Sequence, residues 1–375
     1  MEFIDLKSQQ KMIRDELEKN IRNVLDHGKY IMGPEVYELE EKLSLFVGTK
    51  FSLTCSSGTD SLLLALMSYG IGPGDAVITT PFTFIATAEV ISLLGATPVF
   101  VDIEKETFNL DPKLLPNGLI HAQNKGLIPR AIITVDIFGV PCRYDEILEF
   151  AKNNNLVVIE DAAQSFGAKY RTKRACSLGD IGCTSFFPAK PLGGYGDGGA
   201  VFTDDPEIFE ILKSLRVHGQ GKDKYENLRI GINGRLDTIQ AAILLCKLKI
   251  FEEELLLRNK VAEAYKTLMK EYCPWVVPQK VPEDSISPWA QFTIRFESQA
   301  QREKAMGVLK ANGIPTAIYY PIPLHLQKAF KDLGYGVGSF PVAEEVCKVV
   351  LSLPMHPYLK ERDQERIVRL IGEAF

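Results

Sequence analysis

The sequence predicts an α/β protein: a large domain on a mostly parallel sheet of roughly seven strands, followed by a smaller α+β C-terminal domain. Three observations carry this. Short apolar, β-branched runs recur without polar alternation, as strands buried on both faces do. Segments of helical periodicity separate them, so strands alternate with crossover connections. From residue 236 to 272 the pattern stays helical long enough to connect two lobes, and the chain beyond it changes character.

Along the chain, apolar positions recur at helical spacing from residue 6 to about 27. In "GPEVYELEEKLSLFVG" (33–48), Pro34 suits a first helical turn and Gly48 a stop. "SSGTDSLLLALMSYGIGPGD" reads as a Gly-Thr turn opening a buried helix from about Thr59. The strand runs are "AVITT" (76–80), "TPVFVDI" (97–103), "RAIITVDIF" (130–138) and "LVVIEDAA" (156–163), with helices between them such as 87–94 and 144–153. "CTSFF" (183–187) and "GAVFTDD" (199–205) add two more. After the long helix come strand-like "AQFTIRF" (290–296), helix-like "QREKAMGVLKANG" and the run "IPTAIYYPIPLHLQ". The expected division is a large domain over 1–250 and a small one over 251–375.

The 375 residues suffice for two such domains, and 46% hydrophobic with 24% charged content is ordinary for a folded chain. A net charge of −5 argues against nucleic acid or an anionic membrane as the main partner. The seven cysteines are scattered with no CxxC pair, and the five histidines form no HExxH, so reduced thiols in a cytoplasmic protein are expected and no metal site. The N-terminus "MEFIDLKSQQ" has no signal-peptide core, and no run approaches the roughly 18 apolar residues of a membrane span.

Three features carry chemistry. Asp161, in "VVIEDAAQSFG", lies just past an apolar strand, at the sheet end where open α/β folds bind ligands, and Gln164 follows three residues on. The Gly58-Thr59 turn in "CSSGTDSL" opens a helix whose free amides suit a phosphate. Lys190, in "SFFPAKPLGGYGDGGA", lies between a strand and a run of glycines that let the backbone approach a ligand. Each has a plainer reading: Asp161 as a helix cap, the Gly-Thr turn as an ordinary N-cap, Lys190 as a surface cation. A lysine in a partly desolvated pocket, however, becomes a nucleophile toward carbonyls. Phosphate turn, strand-end acid and pocket lysine together meet the needs of pyridoxal 5′-phosphate (PLP). The turn anchors the phosphate, the acid keeps the pyridine nitrogen protonated, and the lysine holds the aldehyde as a Schiff base.

With these motifs the chain resembles the DegT-type sugar-nucleotide aminotransferases, which are fold-type I PLP enzymes. The likeness runs from "IDLKSQQ" to "LSLPMHP" and is most specific in "GPEVYELEE", "CSSGTDSL", "PFTFIATAE", "EDAAQSFGA", "SFFPAKPLGGYGDGGA" and "GINGRLDTIQAAIL". The resemblance implies that Lys190 links the cofactor and Asp161 pairs with its ring nitrogen, while Gln164 approaches the phenolic oxygen. It implies that Gly58, Thr59 and Asp60 hold the phosphate through backbone amides with help from the Ser185 hydroxyl. Phe84 stacks on the ring, and Asn233 reaches the phosphate of a partner subunit, making a homodimer with shared sites. Lysine rather than histidine at 190 favours transamination over the dehydration of one family branch. A PLP-binding regulatory protein is the non-enzyme alternative.

For substrates, the resemblance implies L-glutamate as donor, with 2-oxoglutarate leaving and pyridoxamine 5′-phosphate (PMP) as the intermediate form. The acceptor would be a UDP-linked keto-sugar. "SFFPAKPLG", "RIGxNxRLDT" and "YPIPLxxQ" are most similar to enzymes acting on UDP-2-acetamido-3-keto-glucuronate, where Arg229 would clamp the carboxylate. Tyr319, Tyr320, His325, Lys29 and Tyr30 are further candidates at the sugar nucleotide. Plainer readings are an ion pair for Arg229, interface packing for Tyr319, Tyr320 and His325, and a solvated cation for Lys29. The alternative acceptor is a dTDP-linked 3-keto- or 4-keto-6-deoxyhexose.

Overall fold

The computed structural model describes residues 1–223 and 225–375. Helices α1 (Leu6–Met12), α2 (Arg14–His27) and α3 (Pro34–Val47) open the chain. Then come β1 (Phe51–Cys55), α4 (Gly58–Ser68), β2 (Asp75–Thr79), α5 (Ala86–Leu93), β3 (Thr97–Phe100), α6 (Leu115–Asn124), β4 (Ile128–Val135), α7 (Tyr144–Asn153) and β5 (Val157–Asp161). A short hairpin, β6 (Lys169–Tyr170) and β7 (Lys173–Arg174), precedes β8 (Ile181–Ser185), β9 (Gly199–Thr203) and α8 (Pro206–Arg216). Helix α9 (Thr238–Tyr272) leads to β10 (Val277–Pro278), β11 (Ser285–Ile286), β12 (Phe292–Arg295), α10 (Gln299–Ala311), α11 (Pro341–Val349), β13 (Val350–Leu353) and α12 (Glu361–Glu373).

The main sheet has seven strands in the order β1-β9-β8-β5-β4-β2-β3. Six run parallel; β9 is antiparallel to both its neighbours, β1 and β8. Alternate strand residues enter two different cores. Val77, Ile133 and Ile159 pack with residues of α4 and α8, while Ile78, Ile132 and Val158 pack with residues of α6 and α7. That is why the strands read as unbroken apolar runs: both faces are covered. A three-stranded antiparallel sheet, β10-β12-β13, forms a second centre with α12.

Helix α9 belongs to both centres. Its Ala241, Leu244, Leu245 and Leu255 join a cluster with α3, whereas Val261, Tyr265 and Met269 join β12, β13 and α12. The start of the chain returns to this second centre, where the Met355 amide donates to the Phe3 carbonyl at 3.1 Å. Among the described residues no helix is long and apolar enough to cross a membrane.

The structure departs from the sequence reading at four places. The first helix is broken at Ile13, which caps one helix and starts the next with φ −108° and ψ 10°. Strand β1, "FSLTC", interleaves buried Ser52 and Thr54 with its apolar residues, so its pattern is not that of a run; Glu40 satisfies the Thr54 amide at 2.8 Å. The run 130–138 stops at Val135, and residues Ile137–Gly139 form a 3-10 turn with Phe138 at φ 59°. The run 97–103 likewise stops as a strand at Phe100, with Ile103 forming an isolated bridge to Leu110.

Candidate active site

The site is assembled at the carboxyl ends of β1, β8 and β5. Across the sheet, Cys55 lies opposite Gly199 and Gly199 opposite Ser185, so the ends of β1 and β8 are level. Immediately beyond Cys55, α4 begins. Ser57 caps it, its hydroxyl accepting from the Asp60 amide at 3.0 Å. The Gly58 and Thr59 amides lie in the first helical turn, where no preceding carbonyl can reach them. Gly58 lies against β8: a Cβ there would stand 2.6 Å from Ser185 Cβ and 3.1 Å from its Cα. Ser185 Oγ accepts from the Phe187 amide at 3.2 Å, so its hydroxyl proton is free to donate. Two helix amides and one hydroxyl thus converge as an anion cradle. Asp60 was expected to give a third amide; that amide is taken by the Ser57 cap.

Asp161 ends β5 and is buried. Its Oδ2 accepts from Thr87 Oγ1 at 2.8 Å and its Oδ1 from the Ala163 amide at 3.2 Å. Thr83 Oγ1 stands 2.9 Å behind Thr87 Oγ1. Burial pushes the Asp161 carboxyl above its ordinary range, and these hydrogen bonds and the nearby Lys190 cation oppose the rise. Lys190 shows the mirror image: burial lowers its ammonium pKa, and Asp161 partly restores it. A lowered pKa is what an amine nucleophile requires.

The lysine turn is tight. The Lys190 amide donates to the Phe187 carbonyl at 2.8 Å, and the Gly194 amide to the Phe186 carbonyl at 2.7 Å. Gly193 leaves no room for a side chain, since a Cβ would meet the Pro188 carbonyl oxygen at 2.5 Å.

Gln164 is clamped at both ends of its amide. Its Oε1 accepts from the Phe138 amide at 2.7 Å, and its Nε2 donates to the Tyr320 hydroxyl at 3.2 Å. One Nε2 hydrogen remains for a ligand. The Phe138 amide reaches Gln164 from a left-handed backbone conformation that no residue pattern announces. Tyr320 also meets the exposed ring of Phe84 at 6.4 Å, and Tyr319 at 5.7 Å. The hydroxyl of Tyr320 is pushed up by burial.

Other candidates are placed apart from this group. Arg229 and Asn233 share a strap folded back on residues 217–220 through bridges Val217–Asn233 and Gln220–Asn227. Gly219 presses on Arg229, whose carbonyl oxygen would lie 1.8 Å from a Cβ there. Arg229 is half-buried and Asn233 exposed, its Oδ1 accepting from Arg235. The strap also exposes Leu228 and Ile230. Lys29 and Tyr30 are exposed on the turn after α2, where the Tyr30 carbonyl accepts from the Thr238 amide at 3.0 Å. His325 is a correction. Its side chain is 0% exposed, with Nε2 3.0 Å from Glu344 and its ring edge-on to Phe340, so it has no surface to offer a sugar nucleotide. Burial lowers its pKa despite Glu344.

Thr87 and Phe138 were not among the sequence candidates. Thr87 lies in the first turn of α5 and Thr83 in the bend before that helix, and no residue pattern links them to Asp161. Among the described residues no cluster of metal ligands occurs. The groups present fit PLP: a cradle for a dianion, a buried acid, an amide with a spare donor, and a half-buried lysine whose pKa is lowered by desolvation.

Comparison with known proteins agrees. The profile of the DegT/DnrJ/EryC1/StrS aminotransferase family matches residues 11–372. A UDP-2-acetamido-2-deoxy-3-oxo-D-glucuronate aminotransferase of Pseudomonas aeruginosa is 49% identical over 359 residues, covering 96% of both chains. A crystal structure of a DegT DnrJ EryC1 StrS aminotransferase from Brucella abortus superposes with a TM-score of 0.95 at 46% identity, covering 99% of this chain and 98% of that one. NtdA from Bacillus subtilis, solved with bound cofactor PMP, superposes with a TM-score of 0.89 at 28% identity, covering 99% and 83%.

Proposed function

Because the chain belongs to the DegT/DnrJ/EryC1/StrS aminotransferase family and is a PLP-dependent sugar aminotransferase, we propose that it moves the amino group of L-glutamate to C3 of a UDP-linked 2-acetamido-3-keto uronic acid. The likeness to the Pseudomonas aeruginosa enzyme carries this reading of the substrate. Arg229 is consistent with it, because a guanidinium fork suits a sugar carboxylate that a 6-deoxy sugar lacks. The aminated product would serve surface-polysaccharide synthesis from the cytoplasm.

In this reading Gly58, Thr59 and Ser185 hold the phosphate and Phe84 covers the ring. Gln164 donates to the ring oxygen through its spare Nε2 hydrogen. When bound, PLP supplies an aldehyde that carries the amino group and a ring that spreads the negative charge developing on the substrate carbon. Asp161 holds the proton at the pyridine nitrogen, a role in which its ionised form is stabilised by Thr87 and the Ala163 amide. Lys190 would hold the aldehyde of the bound cofactor, and its free amine is the base placed to take the proton from the donor Cα. With the keto-sugar it runs the reverse transfer at C3. Asn233, with the exposed apolar strap beside it, reaches a second copy of the chain, so the working unit is a homodimer. Lys29, Tyr30 and Tyr319 remain candidates for the nucleotide or sugar.

The test is turnover of purified protein with glutamate and each keto-sugar in turn. Amination of the UDP-3-keto uronate supports the reading. Turnover only of a dTDP-linked 6-deoxy keto-sugar would replace it, and a protein that binds PLP without either turnover would favour a regulatory role.

A further inference from the structure

The segment "IDLKSQQ" near the start of the chain and "LSLPMHP", which follows α11 and precedes α12, meet behind the lysine turn, and the roles assigned above use neither. They close over one face of α9, where Lys247, Glu254 and Arg258 stand seven and four residues apart and so share a side of the helix. All three are buried. A void of about 10 Å³, the size of one water, lies between Lys190 and Lys247 and is walled by these residues and by both of those segments.

Lys247 is the member that touches the lysine turn. Its Nζ donates to the Gly193 carbonyl at 2.5 Å and lies 4.4 Å from the centroid of the Tyr195 ring. Burial brings its ammonium pKa down to about 8, against the attraction of Glu254. Glu254 is fixed in turn: both its oxygens accept from Gln9 Nε2 at 2.9 Å, and it also accepts from the Tyr358 hydroxyl. A buried cation is costly where packing alone is needed, and an apolar side chain would fill the same space. The direction of this one is specific. It grips the one stretch of backbone between Lys190 and the hydrogen bond that closes the turn at Gly194.

We propose that Lys247 is a positioning residue for Lys190: by holding the Gly193 carbonyl against α9, it sets where the turn delivers the Lys190 amine. The proposal rests on Lys190 being the lysine that links the cofactor. Borohydride trapping on Lys190 of the unmodified holoenzyme tests that premise separately.

The two uses of the site can be separated, because PMP fills the cradle without needing the lysine. Apoenzyme of Lys247→Met should bind PMP within about twofold of the unmodified protein. Linkage of Lys190 to added PLP, followed by the rise of its visible band, should slow about tenfold or more. Lys247→Arg, which keeps a donor for Gly193, should recover most of the rate. If Lys247→Met does not fold, Lys247→Gln takes its place, its amide falling short of Gly193. An unchanged linkage rate, an equal loss of PMP and PLP binding, or an arginine variant no better than methionine overturns the proposal.

Discussion

Thr87 Oγ1 donates a 2.8 Å hydrogen bond to Oδ2 of Asp161, and Thr83 stands behind it. Burial raises the pKa of this carboxylate, and the bond from Thr87 opposes the rise by favouring its ionised form. A hydrogen bond to a charged acceptor contributes about 1.5–3 kcal/mol. Thr87→Val removes it without changing shape. The acid limb of the glutamate half-reaction should then move up by about 1–2 pH units, with a smaller effect at alkaline pH. A pH profile whose acid limb stays in place would show that Thr87 does not set the ionisation of Asp161.

Gly58→Ala inserts a methyl group 2.6 Å from Ser185 Cβ. The contact is with a side-chain stem on a central strand, which cannot swing aside. Overpacking of this kind costs about 1–3 kcal/mol. Here the cost should appear as an affinity for PMP weakened about tenfold, measured by titration of the apoenzyme. Affinity equal to that of the unmodified protein would place the phosphate elsewhere.

Arg229→Ala separates the two substrates. The glutamate half-reaction should keep its rate within about twofold, while the uronate half-reaction falls about a hundredfold, the loss expected when a carboxylate loses its bidentate partner. Equal losses in both halves would assign Arg229 to the strap's own folding, consistent with its packing on Gly219.

His356 supplies a pH dependence of stability. Burial lowers its pKa from 6.5 to about 4, with Asp5 opposing. The unfolded chain therefore takes up a proton that the folded chain refuses. The stabilising contribution is complete above the unfolded pKa and is lost as pH falls through the folded one. Between pH 6.5 and about 4 this amounts to roughly 3 kcal/mol. His356→Gln should flatten denaturant-unfolding stability across that window, and an unchanged slope would exclude His356 as its source.

The parallel sheet was legible because its strands are covered on both faces, so Val77 and Ile78 are both apolar although they enter different cores. Strand β1 was not named, because buried Ser52 and Thr54 take their partners from α3 rather than from any local pattern. The antiparallel course of β9 has no local signature either, since its residues read like those of any covered strand. At the site, Asp161, Gln164 and Lys190 stood out by their place after strands. Thr87 and Phe138 did not, because their partners lie 74 and 26 residues away. His325 misled for a physical reason: an imidazole beside two tyrosines reads as a ligand group, and only the fold reveals that Glu344 and Phe340 enclose it.

The level rung Cys55–Gly199–Ser185 works as a vernier between two pieces of chemistry. The anion cradle hangs from β1 and the lysine from β8, and the reversed strand β9 is the scale that aligns them. A slip of β9 by one residue would offset its neighbours by about 3.3 Å and turn its buried faces over. The turn after Phe186 is held in the same frame by its own hydrogen bonds at Phe187 and Gly194, and an insertion inside β9 would shift the Gly58-Thr59 amides and the Lys190 amine relative to each other. Sequence change is therefore least tolerated in two places, the tight turn that carries Lys190 and the five residues of the strand that aligns it with the cradle.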